Sequence, residues 1–161
     1  LTDLVYIGFG ANLGQPIECL NRVKKEINQL KRTSILHISS SYRSKPIGTS
    51  DLQPDYINAV MEVQTELTAD DLLIAMMEIE AKHGRVRPSA ANSARTVDLD
   101  LLLFKGEMRT DKVLTLPHPR IQERAFVLYP LHELNPAIEI PGQGCVEDLL
   151  THVVEQDIEK L

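Results

Sequence analysis

Asp98 and Asp100 stand two residues apart at the head of "TVDLDLLLF", a stretch that otherwise reads as a buried strand. Side chains alternate along a strand, so Val97, Leu99, Leu101 and Leu103 are expected on one side. Asp98, Asp100, Leu102 and Phe104 are expected on the other, with the two acid Cβ atoms about 7 Å apart. Two carboxylates on one face of a central strand repel each other and lose hydration, so each needs a cation. Oxygen ligands of this kind suit Mg²⁺, which keeps several waters and is completed by phosphate oxygens. The plainer alternatives are an edge strand whose acids face water, or salt bridges to nearby arginines.

The residues upstream favour the metal reading. Between Ala81 and Val97 there is no acidic residue, while Lys82, Arg85, Arg87 and Arg95 all fall there. A protein of net charge −6 has thus gathered cations in the segment that delivers its Asp pair. The polar, Pro-containing "RPSAANSA" within it is expected to be a mobile loop. By itself it would be a solvated loop neutralising Glu78, Glu80 and the Asp pair. Beside a metal-binding pair it fits phosphoryl transfer, in which arginines clamp phosphate oxygens and loop closure excludes water.

Other candidates carry weaker signals. His118 lies between two prolines in "LPHPR", which fixes its backbone and makes it a candidate phosphate donor or acid/base. Glu80 shares a helical stripe with Leu73 and Met76, placing a carboxylate where it reaches either water or a ligand. "GFGANLG" has the spacing G-x-G-x-x-x-G, one residue too long for a dinucleotide fingerprint. Gly8, Gly10 and Gly14 are therefore expected to allow close packing and a tight turn. His37, His83, His132 and His152 form no recognisable cluster.

The elements that must position these residues follow from hydrophobic period. "LVYIGF" alternates, with Val5, Ile7 and Phe9 on one face. A helix opens at Pro16 and carries Ile17, Leu20, Val23, Ile27 and Leu30 at helical spacing. "SILHISSSYR" reads as a second strand, and "YINAVMEVQT" as a third. Thr68 and Asp71 give a capping signature for a second helix that stops near Gly84. "TVDLDLLLF" follows, then a turn at Lys105-Gly106, a helix across "FVLYPLHEL", a short strand "AIEI" and a last helix from about Val146. The order predicts an α+β, ferredoxin-like split βαβ core in one domain over residues 1–161, with a mostly antiparallel sheet and a C-terminal extension. Acidity argues against a general nucleic-acid or membrane-surface binder. Cys19 and Cys145 lie in no metal-ligand spacing and are expected as free thiols in a reducing cytosol.

Seven segments, in this order, resemble the 6-hydroxymethyl-7,8-dihydropterin pyrophosphokinases of folate biosynthesis: "YIGFGANLG", "SSYRSKPIG", "QPDYINAV", "GRVR", "ARTVDLDLLLF", "LPHPR" and "RAFVLYPL". The resemblance implies transfer of diphosphate from ATP to the 6-hydroxymethyl group of the reduced pterin, releasing AMP. It implies Asp98 and Asp100 as ligands of two Mg²⁺ ions, and Arg85 and Arg95 as phosphate-contacting arginines on a closing loop. With His118 these form the implied catalytic set. Leu73, Glu80, Arg87, Leu114, Thr115 and His118 fall where the nucleotide is surrounded. Ser44, Pro46, Ile47, Tyr56, Asn58 and Phe126 fall where the pterin is held, Asn58 bonding the ring edge and Phe126 and Tyr56 packing on or beside its plane. ATP and the pterin are the implied partners; neither nucleic acid nor membrane is expected, and the chain is expected to be a cytoplasmic monomer.

Two departures stand out. Many relatives have a Trp and a Gly-Pro just before the signature arginine, where this chain has Asn92, Ser93 and Ala94. Lys45 replaces a Pro common on the pterin side. The chemistry expected is in-line attack of the pterin hydroxyl on the β-phosphorus, with Asp100 or a water on the metal as alternative proton acceptors. Competing readings are a metal-dependent nucleotide phosphohydrolase and a non-enzymatic ferredoxin-like ligand-binding module.

Overall fold

The computed structural model of the chain describes residues 3–46, 52–84 and 97–161. Ile47, Arg85, Arg87, Arg95 and the Asn92–Ala94 departure lie outside the described residues. In chain order the elements are β1 (Val5–Ala11), α1 (Pro16–Asn28), β2 (Thr33–Ile38), β3 (Tyr42–Ser44), β4 (Tyr56–Thr65), α2 (Ala69–Lys82) and β5 (Asp98–Phe104). There follow β6 (Arg109–Thr110), β7 (Thr115–Leu116), α3 (Ala125–Leu134), β8 (Glu139–Ile140), β9 (Gly144–Cys145), α4 (Val146–Leu149) and β10 (Ile158–Lys160). The main sheet runs β10-β3-β4-β1-β5, with β2 beside β3 on the same border of β4, and every pairing is antiparallel. The strand-helix-strand-strand-helix-strand order expected from the sequence is therefore present, and the fold is α+β.

Each helix of the core is held by its apolar stripe. In α1, Pro16 occupies the first turn but Gln15 makes no side-chain cap, so that end lacks a contribution of about 1 kcal/mol. Leu20, Val23 and Ile27 are at most 5% exposed, and burying each such side chain contributes about 1.5–3 kcal/mol. Packing outweighs the missing cap. Ile17, expected on the same stripe, is instead 46% exposed at the start of the helix. In α2 the Thr68 hydroxyl accepts the Asp71 N–H at 3.1 Å, as the capping signature predicts. Leu72, Met76 and Ile79 then face the sheet.

The sheet has a core on each side. Val5, Ile7 and Phe9 of β1 and Ala59, Met61 and Val63 of β4 pack under α1 and α2. Tyr6, Val60, Leu102 and Leu103 pack under α3 and the C-terminal segment. This division corrects the alternation expected for β5. Ile7 pairs with Leu101 but Tyr6 with Leu103, so Leu102 is an extra, bulged residue. The bulge reverses the parity beyond it. Leu103 joins Leu102 on the α3 side, and Phe104 turns to the α1/α2 side.

Three further differences have local causes. Among the described residues β5 is the outermost strand of its sheet, not a central one, so its acids sit at a border. The second predicted strand divides at Ser39, whose backbone N–H donates to Val60 O while its hydroxyl accepts Val60 N–H, both at 2.9 Å. A side chain thus replaces one rung of the ladder between β2 and β3. Finally, β10 joins β3 through Ile158↔Ser44 and Lys160↔Tyr42, a pairing too short and polar to show in the sequence pattern.

Candidate active site

Asp98 and Asp100 project from the first half of β5, ahead of the bulge, on the side away from α1 and α2. Across the ladder each faces a glycine of β1: Gly10 opposite Asp98 and Gly8 opposite Asp100. A methyl group on Gly8 would lie 3.3 Å from Leu102 Cδ1, and one on Gly10 would lie 3.3 Å from Asn58 Oδ1. These glycines leave open the floor beside the acids. That is the close packing expected of "GFG", while Gly14 has the positive φ of a tight turn, +67°.

A cavity of ≈ 440 Å³ lies over this floor. It is lined by Ser44 and Pro46, by Tyr56 and Asn58 of β4, by Phe126 of α3, and by Asp98 and Asp100 of β5. Asn58 is 3% exposed and donates from Nδ2 to Ser44 Oγ at 2.7 Å and to Tyr42 O at 3.3 Å. With its amide hydrogens engaged, its orientation is set before any ligand enters.

A second cavity of ≈ 390 Å³ lies around the border of β5, between α2 and the β6–β7 hairpin. Leu73, Met76 and Glu80 come from α2, Leu114 and Thr115 from the hairpin, and His118 from the turn after it. Asp100 lines both cavities. Every sequence-derived candidate among the described residues thus lies on one cavity wall or the other.

Glu80 differs from the expectation of a carboxylate at the helix edge reaching water. It is 1% exposed, and its Oε2 accepts the Leu99 N–H of β5 at 2.9 Å. The reason is the border position of β5: its outward N–H needs an acceptor, and α2 supplies one.

Burial lowers the pKa of His118 to about 4, and the charge of Arg124 adds to that effect against the opposite pull of Asp98. The ring is therefore neutral near pH 7. Its Nδ1 accepts the Arg120 N–H at 3.2 Å, which places the ring proton on Nε2. Nε2 faces Asp100 Oδ1 at 3.7 Å, too far for a direct hydrogen bond. The backbone N–H of His118 donates to Leu102 O at 3.0 Å, fixing the turn to the strand.

Arg120 and Arg124, absent from the sequence-derived candidates, also line the first cavity. Arg124 Nη1 lies 3.8 Å from Asp100 Oδ2, and its guanidinium carbon lies 5.4 Å from the Phe126 ring centroid. Burial lowers the Arg124 pKa, with the Asp100 charge opposing, yet a guanidinium stays protonated at working pH. The available signal was two arginines four apart beside "PHPR". Glu123 disguised it as an ordinary surface pattern, and it does lie 3.5 Å from Arg120.

Among the described residues no group of three or more His, Cys, Asp or Glu side chains could hold a metal ion alone. Two carboxylates lining one cavity suit Mg²⁺, which is commonly held by one or two carboxylates and completed by substrate phosphates.

Comparison with known proteins gives concordant results. The family model described as 7,8-dihydro-6-hydroxymethylpterin-pyrophosphokinase (HPPK) matches residues 6–136. A 2-amino-4-hydroxy-6-hydroxymethyldihydropteridine pyrophosphokinase of Haemophilus influenzae is 39% identical over 156 residues, covering 97% of this chain and 96% of the relative. The enzyme of that name from Pseudomonas aeruginosa is 38% identical over 157 residues, covering 98% and 96%. Among solved structures, wild-type Plasmodium falciparum HPPK-DHPS with pteroate superposes with a TM-score of 0.72 at 12% identity, over 94% of this chain and 42% of that one. At that identity the likeness speaks for the fold, and the chain spans less than half of that longer protein.

Proposed function

This chain belongs to the 7,8-dihydro-6-hydroxymethylpterin-pyrophosphokinase family, and from that premise we propose that its reaction takes place where the two cavities meet, at Asp100. The reaction transfers diphosphate from ATP to the hydroxymethyl group of the dihydropterin, in folate synthesis. The observation that carries the placement is that Asp100 lines both cavities. A group passing between two bound substrates must do so where their sites touch.

The first cavity suits the pterin. It offers Tyr56 and Phe126 to a flat ring and a pre-oriented Asn58 to its polar edge. The second suits the nucleotide, with Leu73, Met76 and Leu114 giving the base an apolar seat. The polyphosphate then runs toward the shared wall. There the hydroxymethyl oxygen gives up its proton to Asp100 or to water and forms a bond to the β-phosphorus, the bond from that phosphorus to the oxygen bridging the α-phosphorus breaks, and AMP leaves.

Asp98 and Asp100 would hold Mg²⁺, which when bound neutralises polyphosphate charge and sharpens the attacking hydroxyl. The chain's own groups do the rest. Arg124 and Arg120 bring fixed positive charge to the pterin side of the junction, where the transferred group arrives. From the nucleotide side, His118 presents a neutral Nε2–H, as a hydrogen-bond donor that needs no ionisation. Arg85, Arg87 and Arg95 are proposed as the remaining phosphate contacts, with Ile47 beside the pterin.

The test is to incubate the protein with ATP and Mg²⁺, with and without 6-hydroxymethyl-7,8-dihydropterin, and to separate the products. AMP and pterin diphosphate should form only with the acceptor present. ADP with phosphate, or acceptor-independent hydrolysis, would overturn the reading in favour of a phosphohydrolase.

A further inference from the structure

We propose that Arg109 is a positioning residue for nucleotide binding, a clamp that sets the spacing between the two walls of the second cavity. The inference rests on the reading that this cavity receives ATP. One wall is the β6–β7 hairpin, whose strands contribute two residues each, far too little to hold a shape unaided. The other wall is α2.

One guanidinium joins them. Arg109 Nη1 lies 2.9 Å from Asp70 Oδ1, in the first turn of α2. Its Nη2 and Nε each lie 2.8 Å from Asp111 Oδ2, on the hairpin. Asp111 in turn uses Oδ1 to accept the N–H groups of Val113, at 2.9 Å, and Leu114, at 3.0 Å, which folds the hairpin tip. Val113 and Leu114 line the cavity from that side, and Leu73, one helical turn beyond Asp70, lines it from the other.

The chain of contacts is thus Leu114–Asp111–Arg109–Asp70–Leu73, from one wall to the other. The Arg109 hydrogen bond, with the backbone bonds from Leu114 and Val113, lowers the Asp111 pKa to about 2, so the clamp stays charged at working pH. A planar fork can bond two carboxylates lying in different directions, whereas an ammonium offers only a compact point charge. Arg109 lines neither cavity and touches no proposed catalytic group. Its effect should therefore appear in the affinity for one substrate and not in the chemical step.

The experiment uses the full chain and compares Arg109→Met, Arg109→Lys and Asp70→Asn with the unaltered protein. Arg109→Met should raise KM for ATP about three- to fivefold, the size expected for partly exposed ion pairs. Both kcat and KM for the pterin should stay within about twofold of the unaltered protein. Arg109→Lys should recover part of the loss. Asp70→Asn, which leaves the Arg109–Asp111 pair in place, should move KM for ATP in the same direction, and it decides the matter if Arg109→Met does not fold. Leu114→Arg, which fills the cavity, separates this inference from the reading beneath it. If Leu114→Arg leaves ATP affinity unchanged, the nucleotide reading fails. If Leu114→Arg abolishes ATP affinity while the Arg109 and Asp70 variants keep a normal KM for ATP, or lose kcat or affinity for both substrates equally, the clamp is overturned and the nucleotide reading stands.

Discussion

Arg124 Nη1 stands 3.8 Å from Asp100 Oδ2, so the carboxylate shared by both cavities already has a cation beside it before any substrate binds. Two such partly buried charges attract strongly, and a divalent ion must compete with that attraction. Arg124→Met should therefore bind Mg²⁺ more tightly in the absence of nucleotide, by titration calorimetry. Its kcat should nevertheless fall about ten- to a hundredfold, because a fixed charge at the transferred group is gone. Unchanged metal affinity together with an unchanged rate would remove Arg124 from the proposed site.

Asp98→Asn and Asp100→Asn keep shape and remove charge. Each should lower kcat by about a hundredfold or more, the scale seen when a charge-stabilising group is lost. Far-UV circular dichroism should remain that of the unaltered protein. A folded variant with near-normal turnover at limiting Mg²⁺ would end the metal-ligand role of that residue.

Gly10→Ala tests the open floor. The added methyl would sit 3.3 Å from Asn58 Oδ1, and Asn58 is held by Ser44 and Tyr42, so it has little room to give. The expected result is a rise of about three- to tenfold in KM for the pterin with little change in KM for ATP, since about 1 kcal/mol is a factor of five. Equal effects on both substrates would show instead a general disturbance of β1.

Glu133 ties α3 to β3 and β10. It accepts the Tyr42 hydroxyl at 2.6 Å and the Ser40 N–H and hydroxyl at 2.9 Å each, with Lys160 Nζ 3.8 Å away. Burial would raise its pKa, but those hydrogen bonds and the lysine charge prevail and hold it below its ordinary value of 4.5. A carboxyl with a depressed folded-state pKa stabilises the fold above its unfolded value, and the contribution disappears as pH falls through the folded value. Glu133→Gln should therefore cost about 1–3 kcal/mol in urea unfolding at pH 7. That difference should shrink steadily from pH 4.5 downward. A difference that persists undiminished at pH 3 would show that the charge is irrelevant.

The sequence made the core and the two acids legible for the same reason: each rests on strict periodicity. Val5, Ile7 and Phe9 alternate, Leu20, Val23 and Ile27 recur at helical spacing, and all six pack on the same side of the sheet. What escaped was whatever depends on a partner far along the chain. The bulge at Leu102 exists only in relation to Tyr6 and Ile7, and no pattern within "LDLLLF" announces it. Arg124 looks like one more surface cation until α3 brings it to Asp100. Glu80 looks amphipathic until β5 proves to be a border strand in need of an acceptor.

That last contact reaches beyond the site. An outer strand offers its free amides and carbonyls as a template on which a strand of another molecule can assemble, the usual route to edge-to-edge aggregation. On β5 the Leu99 amide is already held by Glu80 and the Leu102 carbonyl by the turn at His118. The same carboxylate that walls the second cavity therefore also closes this flank to intermolecular strand addition at Leu99.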